Sequence, residues 1–478
     1  MTEHDAYASP LSARYASRAM LALWGPQRRH ALWRRLWLAL AESERELGVT
    51  AVTDAGLAQM RAHLDDIDFV GAAEFERRFR HDVMAHVHAF GEAAPAARAF
   101  IHLGATSAFV TDNADLILMR EALGLLRARA VGVMRALAAF ARAWKREPTL
   151  AYTHLQPAQL TTVGKRATLW MQDLVLDLAD LDARVAALPL RGVKGTTGTQ
   201  GSFLELFGGD HEKVRRLEAL VVRKMGFAQA IPVAGQTYTR KIDAQVLGVV
   251  AGLAASAAKF SADLRVLQAF GEIEEPFEKE QIGSSAMAYK RNPMRSERIA
   301  SLARFVLSLE PNANQTHSVQ FFERTLDDSA NRRLVLPESF LATDAMLILY
   351  ENIASGLEVH PARIRRRLAD ELPFMATEKL LVRAVRGGGD RQAAHETIRR
   401  HSIDAARALK DGAPANDLFE RLAADAAFGV PLAELRELAD PVQFTGRAAA
   451  QVDEFLAEVA DPILEASPAA ASAEALRV

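Results

Sequence analysis

Residues 116–148 read LILMREALGLLRARAVGVMRALAAFARAWKREP. Leu116, Met119, Leu123, Leu126, Ala130, Val133, Leu137 and Phe140 recur at spacings of three and four. They form one apolar stripe on a helix that stops near Pro148. Working outward, a second such stretch runs from about Leu160 to Leu188, with Trp170, Leu174, Leu178 and Leu181 on its stripe and Pro189 closing it. A third runs from about Ile242 to Phe270. Runs this long, rich in Ala and Leu, predict an all-α protein built on a bundle of long antiparallel helices. Strand-like alternation is scarce, the best candidate being Ala230 to Val233. Composition shifts near Gly104–Ser107 and Val359–Pro361 predict three helical domains, 1–106, 107–359 and 360–478, with the long helices in the middle one.

The chain has 478 residues, half of them hydrophobic and a quarter charged, with a net charge of −2. That balance argues against a nucleic-acid binder, which carries a basic excess. Arg28, Arg29, Arg34 and Arg35 interleave with Trp24, Trp33, Leu36 and Trp37 at helical spacing, which reads as the wet face of an amphipathic helix. No cysteine is present, so disulfides, thiolate metal sites and cysteine nucleophiles are excluded. The opening MTEHDAYASP lacks the apolar core of a secretory signal. The uncharged run Val246–Ala258 is too short to cross a bilayer. The expectation is a soluble, cytoplasmic protein with no membrane or nucleic-acid partner. His81, His86 and His88 lack the i, i+4 spacing of a zinc helix, so no metal is expected.

Five polar segments interrupt this pattern. Gly283–Arg298, GSSAMAYKRNPMRSER, sets Ser284 and Ser285 behind a glycine, then Lys290 and Asn292, then Pro293 and the cluster Arg295, Glu297, Arg298. A loop that ends at a helix start can aim N–H groups, a cation and an amide at one developing negative charge. A solvated Gly-Ser linker would explain the glycine and serines but not the Lys-x-Asn pair. In HLGATS, Thr106 and Ser107 precede a helix, as caps or as an anion site. THLQPAQ surrounds His154 with Thr153, Gln156 and Gln159, groups able to fix its tautomer and position. GTTGTQG (Gly195–Gly201) reads as a flap or a weak phosphate loop without the ending of a P-loop. The segment Phe322–Arg333 carries Arg324, Ser329, Arg332 and Arg333, which could converge on a phosphate or coat a solvated helix.

Taken in order, these blocks resemble the fumarase/aspartase superfamily and, within it, the adenylosuccinate lyase family. The superfamily pattern Gly-Ser-Ser-x-Met-Pro-x-Lys-x-Asn is matched from Gly283 to Asn292, with Ala288 in place of its proline. More specific matches are SPLSARYAS (Ser9–Ser17), RHDVMAHVHAFG (Arg80–Gly91), HLGATS, THLQPAQ, KGTTGTQ and GQTYTRK (Gly235–Lys241). ERTLDDSANRR, PFMATE (Pro373–Glu378) and FTGRA (Phe444–Ala448) extend the resemblance to near residue 450.

The resemblance implies a homotetramer whose central helices merge into one bundle, with active sites shared between subunits and no cofactor. It implies β-elimination of fumarate from adenylosuccinate, and from the succinyl-carboxamide ribotide of purine synthesis. By motif position Ser284 is the general base, His154 the general acid and Glu297 the partner of that histidine. Lys290, Asn292, Thr106 and Ser107 resemble the groups that hold the succinyl carboxylates. Arg14, Tyr15, Arg80, His81, Asp82, Gln236, Arg298, Arg324, Ser329 and Arg333 match nucleotide-contacting positions. Such chemistry needs a base, an acid and cations for a doubly negative intermediate, which these residue types supply. Ala288 frees backbone torsions in the loop. Another lyase of the superfamily, such as argininosuccinate lyase, and a non-catalytic helical scaffold are the alternatives. The arginine block argues against the first, and retention of Ser284, His154, Lys290 and Asn292 against the second.

Overall fold

A computed structural model describes residues 5–467 of the chain. Its frame is five long helices preceded by the amphipathic α1 (Pro26–Glu46). They are α2 (Ser107–Trp144), α3 (Val163–Ala187), α4 (Lys241–Phe270), α5 (Met294–Ser318) and α6 (Asp327–Gly356). The fold is all-α, as the periodicity predicts. The second and third stretches lie within about one turn of their expected bounds.

Contacts at the helix ends fix the direction of each helix. The Tyr238 N–H donates to Asp112 Oδ2 at 3.0 Å, so α4 begins beside the start of α2. Thr149 Oγ1 donates to Glu272 Oε2 at 3.4 Å, so both helices finish together. Gln320 Nε2 donates to Thr237 Oγ1 at 3.1 Å, which brings the end of α5 back to the start of α4. Arg240 Nε lies 2.7 Å from Asp328 Oδ2, and α6 starts there too. The bundle therefore has an Asp112 end and an opposite end. At 1.5 Å rise per residue, the 30-residue α4 holds the two ends about 45 Å apart.

Mid-bundle, Phe260 stacks on Tyr350 at 4.0 Å and meets Trp170 edge-on at 5.0 Å. Such aromatic packing, with Leu174, Leu178, Leu253 and Leu264 buried around it, is the apolar core the stripes predict. Helix α4 is long and apolar enough to pass for a membrane span, with a mean hydropathy of 1.3 over its best window. It packs instead against α3, α5 and α6.

The strand expectation was misplaced. Ala230 makes only an isolated bridge to Leu190. The principal strands are β1 (Pro148–Thr153) and β2 (Gln156–Thr162), an antiparallel hairpin at the far end of the bundle. Thr149, Leu150, Leu160 and Thr162 are buried, whereas the tip is exposed. A second, two-residue pair joins β3 (Ile273–Glu274) to β4 (Glu358–Val359), after which α7 (Pro361–Met375) opens the C-terminal helices.

Candidate active site

The sequence-derived candidates fall into two groups. At the hairpin end, His154 and Leu155 form the two-residue turn between β1 and β2, with φ of 55° and 57°. Two consecutive positive φ values define a turn that Asn-Gly normally fills. Placing His-Leu there stores local strain, and such strain persists where function requires it. His154 is exposed at the tip, with no hydrogen-bond partner among the described residues.

At the same end the loop 283–292 joins β3 to α5. Asn292 Nδ2 donates to the Gly283 carbonyl at 2.7 Å, closing the loop at its base. A Cβ at Gly283 would lie 2.2 Å from the Lys290 carbonyl, so this position requires glycine. Ser284 Oγ accepts the N–H groups of Ala286 and Met287 at 3.3 and 3.2 Å. Two backbone dipoles aimed at one oxygen favour its anionic form. Ser285, Ala288, Lys290 and Glu297 are exposed. Arg291 anchors the loop from behind, pairing with Glu274 at 3.0 Å and Glu358 at 2.9 Å. His360 stands 3.7 Å from Glu274, and the guanidinium already occupies this acidic group.

Buried Glu275 fixes the start of α5. Its carboxylate accepts the N–H groups of Arg295 and Ser296 at 3.0 and 2.9 Å and the Ser296 hydroxyl at 2.8 Å. A carboxylate there satisfies orphan donors and complements the helix dipole. It holds Glu297 and Arg298 at a fixed turn of the helix. The Arg298 guanidinium lies over the Tyr15 ring at 5.4 Å, bringing two nucleotide-type candidates together, with Arg14 next in sequence.

The second group gathers at the Asp112 end. Thr106 is the N-cap of α2, yet its side chain makes no capping hydrogen bond, so its hydroxyl is not spent on the helix. The Gln236 N–H donates to the Glu323 carbonyl at 2.9 Å, which sets Gln236 beside Arg324. Arg333 pairs with Asp82 at 2.9 Å, linking the start of α6 to the Arg80–His81–Asp82 corner. His81 caps the next helix, accepting the Met84 N–H at 3.3 Å. Gly198 fits against the Ala234 carbonyl, where an added Cβ would approach to 1.8 Å, so GTTGTQG packs directly on GQTYTRK. Ser329 is half-buried in the first turn of α6.

Beneath this group lies a buried ion lattice. Arg240 forks onto Asp112 at 3.2 Å through both terminal nitrogens. Arg332 contacts Asp243 at 2.7 Å, Asp115 at 3.0 Å and the Tyr238 hydroxyl at 2.6 Å. Burial and Arg332 oppose the charge on Arg240, but Asp112, Tyr238 and Asp243 outweigh both and its pKa stands above the usual value. Burial would raise Asp112, yet Arg240, Arg332 and Arg191 hold its carboxyl below the ordinary range. Arg191 is fully buried and donates to the carbonyls of Gln236, Gly192 and Gly195; burial pulls its guanidinium down to about 10.

Residues 38–307 match the family model described as lyase, and residues 373–455 match adenylosuccinate lyase C-terminus. Adenylosuccinate lyase of Saccharomyces cerevisiae is 52% identical over 458 residues, covering 95% of each chain. That of Schizosaccharomyces pombe is 50% identical over 458 residues, again 95% of each, and that of Schistosoma mansoni 46% over 466 residues, 97% of each. This chain belongs to the adenylosuccinate lyase family. Its fold also matches a 3-carboxy-cis,cis-muconate lactonizing enzyme from Pseudomonas putida, with TM-score 0.82, 22% identity and coverage of 95% of this chain and 100% of that one. A fumarate lyase from Mesorhizobium gives TM-score 0.79 at 23% identity, covering 93% and 99%. At such identities the likeness concerns the fold.

The family's motifs do not gather in a single chain. His154, Ser284, Lys290, Asn292 and Glu297 sit at the hairpin end, whereas Thr106, Ser107, Gln236, Arg324, Ser329 and Arg333 sit at the Asp112 end. The sequence reading passed over the supporting residues Arg191, Arg240, Glu275 and Arg291. Their only signal was a charged side chain placed where the apolar stripe or the loop core should be.

Proposed function

We propose that this chain cleaves adenylosuccinate to AMP and fumarate, and the succinyl-carboxamide ribotide to its carboxamide and fumarate, by β-elimination. The observation that carries this reading is 52% identity over nearly the whole chain to an adenylosuccinate lyase, with the family's C-terminal model matched as well. The alternative, argininosuccinate lyase, is not favoured by those relatives.

In the mechanism we assign, Ser284 takes the proton from the carbon next to a succinyl carboxylate. The two N–H groups on its oxygen support that role. Lys290, Asn292, Thr106 and Ser107 hold the carboxylates as charge builds on the intermediate. His154, oriented by Glu297, gives a proton to the departing nitrogen. Arg14, Tyr15, Arg80, His81, Asp82, Gln236, Arg298, Arg324, Ser329 and Arg333 hold the nucleotide. The chemistry asks for no metal or organic cofactor.

We propose further that the working form is a cytoplasmic homotetramer whose sites are built from several chains. Its support is the separation of the two groups by the length of α4, about 45 Å, which no side chain bridges. A symmetric assembly brings the Asp112 end of one bundle to the hairpin end of another. Apolar side chains on long-helix faces, such as Leu169, Leu176 and Leu334, are more than half exposed in the single chain and fit such an interface. Release of fumarate from adenylosuccinate tests the activity. Turnover of argininosuccinate instead, or of neither substrate, would overturn it.

A further inference from the structure

The acidic residue inside the arginine block has a place that the assigned roles leave unexplained. Asp328 stands in the first turn of α6 and is 4% exposed. Its carboxylate is shared between two guanidinium groups of unlike surroundings. Arg240 Nε, fully buried, lies 2.7 Å from Oδ2. Arg324 Nη1, on a side chain 28% exposed, lies 3.2 Å from Oδ1 and 3.4 Å from Oδ2. Arg240 cannot swing away, because its other edge forks onto Asp112. The carboxylate is thus clamped from behind and presents its remaining face to Arg324. Held by one terminal nitrogen, Arg324 keeps Nε and Nη2 without a protein acceptor among the described residues.

We infer that Asp328 is a positioning residue for Arg324, setting the angle at which that guanidinium meets the phosphate of the nucleotide. This rests on the assignment of Arg324 to the nucleotide made above. A long side chain pinned at one corner surrenders its rotamer freedom before the ligand arrives, and a fork held in plane can make two parallel bonds to a phosphate. Simple charge counting predicts the reverse. Asp328 is an anion close to where another anion would bind, so removing its charge should tighten phosphate binding if Coulomb attraction alone mattered. The sign of the effect therefore separates positioning from bulk charge.

The test uses the assembled full-length enzyme with Asp328→Asn, Arg324→Ala and the double variant. Each is titrated with AMP, inorganic phosphate and succinate as competing ligands. Positioning predicts that Asp328→Asn weakens inhibition by AMP and phosphate about tenfold, the scale of one charge-assisted hydrogen bond. The KM should rise in parallel, while succinate inhibition and kcat hold. In the double variant Asp328→Asn should add nothing to the loss from Arg324→Ala, since the two act as one unit. Tighter phosphate binding in Asp328→Asn, additive losses in the double variant, or an equal loss of succinate inhibition would each overturn the inference. If Arg324→Ala leaves phosphate inhibition untouched, the nucleotide assignment itself falls, a separate outcome. Should Asp328→Asn fail to assemble, the smaller Asp328→Ser is read in the same way.

Discussion

Replacing Glu44 with glutamine should stabilise this protein at neutral pH, by an amount that grows as the pH rises. Glu44 lies on α1, fully buried, and neither carboxyl oxygen has a hydrogen-bond partner among the described residues. Burial alone pushes its pKa from 4.5 up to about 9. A folded-state pKa above the unfolded one means that the native chain must keep a proton which the unfolded chain gives up. The stability tied to that proton is fully present below pH 4.5 and drains away as the pH climbs towards 9. At pH 7 the gap from the unfolded value is about 2.5 pH units, and at about 1.4 kcal/mol each this comes to roughly 3.5 kcal/mol. Glutamine keeps the shape and cannot ionise. It buries an amide without partners, an offset of about 1–3 kcal/mol that does not vary with pH. The slope is therefore the cleaner measure. Urea unfolding at one fixed protein concentration, run between pH 5.5 and 8.5, should show the variant gaining about 1.4 kcal/mol on the parent per pH unit. A difference that stays flat across that range would show that Glu44 is not buried as a neutral acid.

Three further outcomes are expected. Ser284→Ala and His154→Ala should each lower kcat by at least ~10²-fold with substrate binding largely kept, as is usual for removing an acid or base; a crippling Ser285→Ala beside a mild Ser284→Ala would move the base by one residue. On the reading that each site takes its acid from one chain and its base from another, although both lie at the hairpin end of every chain, denaturing and refolding His154→Ala and Ser284→Ala together should restore about one quarter of the wild-type sites, from the symmetry of random mixing; hybrid tetramers without activity would place both residues of a site in one chain. Excess EDTA should leave fumarate release unchanged, and a strong loss on chelation would contradict cofactor-free elimination.

The long helices were legible because a stripe of period three and four survives wherever one face meets the core, as from Leu116 to Phe140. Helices α5 and α6 were harder to see, since Pro311 and Pro337 lie inside them and read as breaks. Proline removes one donor, but packing on neighbouring helices carries the backbone through. The hairpin escaped because its turn is His-Leu rather than Asn-Gly, and because Gln156, Pro157 and Gln159 mask the alternation of β2. The candidate residues could be named from motifs alone. Their distribution between two ends could not, because it depends on which way each helix runs. Nor was the ion lattice visible: Asp112 and Asp115 precede the Leu116–Phe140 stripe and carry no pattern of their own until Arg240 and Arg332 stand opposite them.

The length of α4 also governs how such a protein behaves when diluted. On the proposed roles and the shared-site reading, a folded subunit with His154 and Ser284 at one tip and Arg324 and Arg333 at the other is not a weak catalyst awaiting improvement; alone it has no site at all. On the shared-site proposal, dilution below the assembly threshold should extinguish turnover per chain while leaving every helix intact. One damaged chain would likewise spoil sites that its neighbours help to build. Catalytic output would then report on how many chains have found one another, and a rigid rod of 30 residues would be the part that ties rate to population.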